Sequence, residues 1–163
     1  MEELDQFFRI SLDLLCVANM DGYFLHLNPS WERSLGHTPE ELLSKRFLDF
    51  VHPDDLERTC QAVSTMASQQ TVTSFENRYR CKDGTYRWLK WTATPAGNLI
   101  YATARDATEH KLAEETLQER LRFEQLLSEV SARFVNIPLE RVDWEMEKSL
   151  RQILDFFKVD RCA

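Results

Sequence analysis

Catalysis and metal binding need particular side chains at particular spacings, and this chain offers few of them. Its four cysteines, Cys16, Cys60, Cys81 and Cys162, are widely and irregularly spaced. No C-x-x-C pair is present, so neither a zinc knuckle nor a dithiol redox motif is written here. Reduced thiols and no bound metal are expected. The four histidines are equally scattered: His26 lies in an apolar run, His37 and His52 sit beside helix starts, and His110 falls in a charged segment. Asp54 and Asp55 are adjacent carboxylates, but they follow His52-Pro53 at a helix start. There they favour the positive end of the helix dipole rather than act as an acid–base pair. No nucleophile, metal set or phosphate loop emerges, so the segment itself is not expected to be an enzyme.

At 163 residues, 43% hydrophobic and 29% charged, the chain can build one apolar core and an extension. The net charge of -7 repels a phosphate backbone or an anionic membrane surface, so nucleic acid is not an expected partner. The start, Met1-Glu-Glu-Leu-Asp5, is acidic where a secretory signal needs positive charge. No apolar stretch approaches the ~20 residues of a membrane span, so this segment is expected to make no membrane contact. A cytoplasmic location follows as an expectation, with any membrane anchor elsewhere in a longer parent.

The elements that must hold the core are legible from pattern. Leu14–Ala18 and Tyr23–Leu27 flank Asn19-Met-Asp-Gly22, a hairpin signal because glycine accepts the positive φ of a tight turn. Three helix starts follow: Asn28-Pro29, with Asn28 read as an oxygen cap, Thr38-Pro-Glu-Glu41, a capping box, and His52-Pro-Asp-Asp55. The last helix is expected from Pro53 to about Ser68, and Gly36 is expected to stop the first. Thr71–Arg80 and Tyr86–Thr92 then alternate with period two around Lys82-Asp-Gly84, and Asn98–Ala104 supplies a fifth strand after Pro95-Ala-Gly97. The expected class is α+β, an antiparallel sheet with helices on one face. From Asp106 a long helix runs to about Val135, with Asp106 and Glu109 spaced as a capping box. At ~1.5 Å per residue it spans on the order of 45 Å, more than the sheet can cover. Phe123, Leu126, Leu127, Val130 and Phe134 form one apolar stripe, while Ala113, Leu117 and Leu121 lie on another face, so a strict heptad fails. Asn136-Ile-Pro138 breaks this helix, and a second with Met146, Leu150, Ile153, Leu154 and Phe157 on one face completes a helical hairpin.

Asp21-Gly22 with Asn28-Pro29, Thr38-Pro-Glu-Glu-Leu42, Val51-His-Pro-Asp-Asp55, Arg78-Tyr-Arg-Cys-Lys-Asp-Gly84 with Trp88, and Arg105-Asp-Ala-Thr-Glu109 follow in the order and spacing of the PAS family. Residues 8–111 resemble that family. The resemblance implies a five-stranded sheet in order 2-1-5-4-3, a cavity between sheet and helices, and a role as a ligand-sensing or dimerising input module. Haem-binding relatives present a histidine from the long helix before the third strand. Here that helix carries Cys60 and no histidine, so haem is not expected. Flavin is not expected either, because the Asn-Cys-Arg context of the light-sensing relatives is replaced by Leu43-Ser-Lys-Arg-Phe47. His110 lacks the Glu-Leu-Arg-x-Pro context of a phosphoacceptor. Leu126–Phe134, Leu150–Leu154 and Val159-Asp-Arg161 resemble the opening helices of a GAF domain.

The expected organisation is a PAS sensory domain over 1–111, a linker helix over 112–135 and the truncated start of a GAF-like domain over 136–163. Cys60, Tyr79, Trp88 and Trp91 are the candidate cavity residues. Asp106, Thr108 and Glu109 form the candidate signal junction, and Phe123, Leu127, Val130 and Phe134 the candidate dimer contact. The implied function is a signal-transduction module that binds an unknown small-molecule ligand and biases a downstream effector, a histidine kinase or cyclic-di-nucleotide enzyme, within a homodimer. The alternative is a PAS scaffold that dimerises or docks a partner, its cavity filled by its own side chains.

Overall fold

The computed structural model describes residues 2–134, 144, 146–151 and 153. The chain divides into two compact units, Met1–Lys111 and Leu112–Ala163. In the first, an amphipathic helix that the sequence reading does not foresee, α1 (Glu2–Ile10), precedes the expected hairpin of β1 (Leu14–Asn19) and β2 (Phe24–Leu27). Next come α2 (Ser30–Leu35), α3 (Pro39–Leu43), a 3-10 turn at Phe47–Phe50, a second at Pro53–Asp55, and α4 (Leu56–Ala67). The strands β3 (Val72–Arg80), β4 (Tyr86–Ala96) and β5 (Leu99–Asp106) complete an antiparallel sheet in the order β2-β1-β5-β4-β3. Alternate residues Leu14, Cys16 and Ala18 of β1 and Ile100, Ala102 and Ala104 of β5 are buried in one cluster with Trp31, Leu35, Leu42, Phe50 and Met66. Period-two burial therefore sends one face of the sheet to the helices.

Local chemistry explains most of the boundaries. The first hairpin closes at Gly22 (φ 94), where the Asn19 side-chain oxygen accepts from the Tyr23 N–H at 2.9 Å. Gly36, at φ 76, ends α2 in the left-handed region. The capping box of α3 forms as spaced: Thr38 Oγ1 accepts from the Glu41 N–H at 3.3 Å, and Glu41 Oε2 from the Thr38 N–H at 2.9 Å. Such a cap contributes ~1 kcal/mol.

Asn28 is not the cap of α2. Pro29 occupies that position with no side-chain bond. Asn28 is 1% exposed, and its Oδ1 accepts from the Leu15 N–H (3.0 Å) while its Nδ2 donates to the Asp13 carbonyl (2.9 Å). It braces the start of β1 from inside. Trp31 Nε1 donates to the Leu15 carbonyl at 3.0 Å, and Ser30 Oγ to the Ser11 carbonyl at 2.6 Å. Asn28, Ser30 and Trp31 thus tie the start of α2 to β1 and to the segment just before it.

The expected single helix from Pro53 is divided. Its first turn is the tighter 3-10 type, with His52 Nδ1 accepting from the Asp54 N–H at 3.2 Å. That turn presents Asp55 to the edge strand β3. The Arg78 N–H donates to Asp55 Oδ2 (2.8 Å), the His52 N–H to the Arg78 carbonyl (2.9 Å), and Val51 forms an isolated bridge with Tyr79.

The helix α5 (Thr108–Phe134) begins in the first unit and continues into the second. In the second unit Phe123, Leu126 and Val130 are half-buried, while Leu117, Leu121 and Leu127 are exposed. Residues 144, 146–151 and 153 are helical. Ser149 is buried there, Ile153 is half-buried, and Met146 and Leu150 are exposed. The break at 136–138, Leu154, Phe157, Val159–Arg161 and the side chain of Phe134 lie outside the described residues. Among those described, no helix is long and apolar enough to cross a membrane, and no group of three metal-ligating side chains occurs.

Candidate functional site

Helix α4 meets the sheet along Thr59, Val63 and Met66, the i, i+4, i+7 row that a helix turns to one side. Opposite them the sheet offers small side chains, Cys16, Ala18, Ala93 and Ala102, so the two layers do not close. The gap is a cavity of about 60 Å³. Pockets for drug-sized ligands run ~300–1,000 Å³, and a water takes ~30 Å³ of liquid, so the cavity as it stands admits a molecule of a few heavy atoms.

No charged side chain lines it. Its buried amide and hydroxyl are committed to each other: Trp91 Nε1 donates to Asn77 Oδ1 (2.7 Å), Asn77 Nδ2 to Thr59 Oγ1 (3.1 Å), and Thr59 Oγ1 to the Asp55 carbonyl (2.7 Å). Tyr79 packs against Trp91 and Trp31, with ring centroids 5.4 and 6.2 Å away. Burial raises the Tyr79 phenol well above its usual value and pushes the Cys16 thiol to about 12, so both are neutral at physiological pH.

Of the four candidate cavity residues, Tyr79 and Trp91 line the cavity and two do not. Cys60 is exposed, because it follows Thr59 and one residue turns about 100° around a helix away from the inward row. Trp88 stands an odd number of residues from Trp91, so the pleat places it on the opposite face of β4. There it lies under the Arg78 guanidinium (5.2 Å) and near Lys111 Nζ (5.6 Å). Sequence reasoning missed Cys16, Thr59, Met66 and Asn77. Alternation from Leu14 was the available signal for Cys16.

At the end of β5 the junction residues come together. Asp106 Oδ1 accepts from the Thr108 N–H at 2.9 Å, and its Oδ2 from Arg87 Nη1. Thr108 Oγ1 accepts from the Trp88 N–H at 3.0 Å, and the Ala107 N–H donates to the Trp88 carbonyl at 2.8 Å. Partial burial raises the Asp106 pKa, but the bonds from Thr108 and Arg87 outweigh it and the net direction is down. The Asp106 bond spans two residues rather than three, so an Asx turn starts α5 where a capping box was expected, and Glu109 is exposed. Lys111 Nζ adds an ion pair to Glu76 at 2.6 Å.

The base of α4 is held separately. Arg78 Nε donates to Asp55 Oδ2 (2.9 Å) and its Nη2 to Oδ1 (3.0 Å), around a carboxylate 4% exposed. Burial raises this carboxyl and the Arg78 bonds more than reverse it, leaving a pKa of about 2.

The strand order, the helices on one face and the cavity between the layers meet a matching comparison: residues 24–101 match the family described as the PAS fold. Residues 24–101 carry the PAS fold. A domain of a sensory box sensor histidine kinase/response regulator from Geobacter sulfurreducens superposes with a TM-score of 0.58 at 17% identity, covering 64% of this chain and 92% of that one. Among curated proteins, the aryl hydrocarbon receptor nuclear translocator homolog of Drosophila melanogaster is 35% identical over 75 residues, 45% of this chain. The peroxide stress-activated histidine kinase mak1 of Schizosaccharomyces pombe is 29% identical over 125 residues, 67% of this chain. The chain spans 12% and 8% of the length of these two relatives. The GAF resemblance of 126–161 gains no support from these matches.

Proposed function

We propose that this PAS domain is the sensory input of a longer signalling protein, in which a small molecule under α4 biases the start of α5. The observation that carries this reading is the placement of two tryptophans on β4. Trp91 faces the cavity, and three residues away Trp88 holds both backbone bonds to Ala107 and Thr108. At ~3.4 Å per residue a displacement at Trp91 acts on the junction over roughly 10 Å of one strand. The output is a downstream effector of the histidine kinase or cyclic-di-nucleotide class, and the likeness to a histidine kinase supports the former. In this reading the segment is not itself an enzyme and works in the cytoplasm without haem or flavin. Exposed Leu127 and half-buried Val130 of α5 support homodimerisation through the helices.

The reading is tested by Asp106→Ala in the longer parent. Ligand affinity of the domain stays nearly unchanged while the output response weakens. Normal ligand-dependent output in that variant would mean the signal leaves by another route. The small cavity volume favours one second reading, a scaffold whose core is filled by its own side chains. Failure of every small probe to enter would select it.

A further inference from the structure

On the outer face of the sheet, away from the cavity, one ring is shared by two cations. Trp88 is half-buried there, with the Arg78 guanidinium over it at 5.2 Å and Lys111 Nζ at 5.6 Å. Each cation keeps a carboxylate of its own. Arg78 holds Asp55 through Nε at 2.9 Å and Nη2 at 3.0 Å, and Lys111 Nζ holds Glu76 Oε2 at 2.6 Å. Arg78, Glu76 and Lys111 are half-buried as well, so water screens these contacts only in part and the ring's attraction for a cation is strengthened.

The two cations serve different helices. Arg78 is the cross-strand partner of Trp88, and through Asp55 it is tied to the base of α4, where Arg58 Nη2 also donates to Asp55 Oδ1 at 3.1 Å. Lys111 stands in the first turn of α5. The Trp88 backbone already grips the entry to that turn, its N–H donating to Thr108 Oγ1 and its carbonyl accepting from the Ala107 N–H. Trp88 therefore touches the anchor of α4 on one hand and Ala107, Thr108 and Lys111 on the other. A shift of α4 that carries Asp55 moves the guanidinium over the ring. Like charges around one ring repel, so the guanidinium's place decides how closely Lys111 can approach.

We propose that Trp88 is a positioning residue that couples α4 to α5, its indole being the shared seat of Arg78 and Lys111. This rests on the reading of the cavity under α4 as the sensory site, and it names a side-chain route by which that helix sets the start of α5. The route runs over the outer face of the sheet and needs no displacement of Trp91.

A double-mutant cycle on the full 163-residue chain, without ligand, tests the coupling. Amide exchange at Lys111, Leu112 and Ala113 reads the first turns of α5, and exchange at Ile100 and Ala102 in β5 corrects for lost global stability. Asp55→Asn frees the guanidinium, and exchange in α5 should quicken about fivefold beyond the change in β5, the worth of one partly desolvated cation–ring contact. In Trp88→Leu, which retains the backbone bonds to Ala107 and Thr108, the same substitution should change it by less than about twofold, the range of independent sites. Trp88→Phe returns a ring face and should recover most of the response. In the chain with Trp88 intact, Lys111→Met should shift the methyl NMR signals of Val63 and Met66 on α4, a reading that does not depend on how the Trp88 variants fold. No response to Asp55→Asn, an undiminished response in Trp88→Leu, a response that Trp88→Phe fails to restore, or unmoved α4 methyls in Lys111→Met overturns the proposal. Because no ligand enters this cycle, each of those results leaves the cavity as an input with another way out, whereas the sensory reading itself falls only if small probes are excluded from the cavity.

Discussion

Two helices lie on the same face of one sheet and are held in opposite ways. The six-residue α2 is fixed by directed bonds, Trp31 to the Leu15 carbonyl and Ser30 to the Ser11 carbonyl, with Asn28 bracing the same strand. Twelve-residue α4 is pinned at its base by Asp55 and Arg78, and beyond Thr59 it rests on apolar contacts over small residues. Length does not decide firmness; the number of directional partners does. A helix held by polar bonds has one position, whereas a helix seated on a gap can settle at several heights.

The largest effect should come from Trp31→Ala, which removes a fully buried ring and its bond. A loss of ~3–5 kcal/mol is expected in urea unfolding. A loss below ~1 kcal/mol would show that α2 is no better fixed than α4. Next is Asp55. Its carboxyl is depressed from 3.8 to about 2, so its contribution is full above the unfolded value and is lost as pH falls through the folded one. That amounts to about 2 kcal/mol. Stability measured between pH 4 and 2 should decline by this amount, and Asp55→Asn should flatten that part of the profile. An unchanged profile in the variant would mean that Asp55 does not anchor α4.

Asp106→Ala should cost ~1 kcal/mol, read as faster amide exchange over Thr108–Lys111 with the sheet still protected. Equal protection in variant and parent would place the start of α5 under other control. The smallest effect belongs to Val63→Ile, which adds one methylene where the gap lies. A change within ~1 kcal/mol is expected, with reduced xenon uptake. Destabilisation of ~2 kcal/mol or more would mean that α4 is packed as tightly as α2.

The strands and caps were readable because their causes are local. Thr38 and Glu41 form their box from spacing alone, and Gly22 and Gly36 mark the positive φ that stops each element. The site was half legible, and its errors were errors of phase. Trp88 and Trp91 cannot share a face at an odd separation, and Cys60 could be placed only once the inward row of α4 was known. Asn28 was not recoverable by such rules. An Asn before Pro reads as a cap, and only the approach of β1, thirteen residues back, turns its amide inward. Helix α1 was missed because a short amphipathic segment, with Phe7 and Ile10 exposed, carries no stop or start signal strong enough to assert a helix.

The contacts along β3 have a consequence for assembly. An edge strand offers its outward amides and carbonyls as a template for another chain. Here the Arg78 amide is taken by Asp55, the Arg78 carbonyl by His52, and Val51 occupies the place beside Tyr79. A peptide seeking to extend the sheet at this margin would first have to evict a buried carboxylate from its guanidinium. The His52–Asp55 segment is therefore a guard against fibrillar stacking at the C-terminal half of β3.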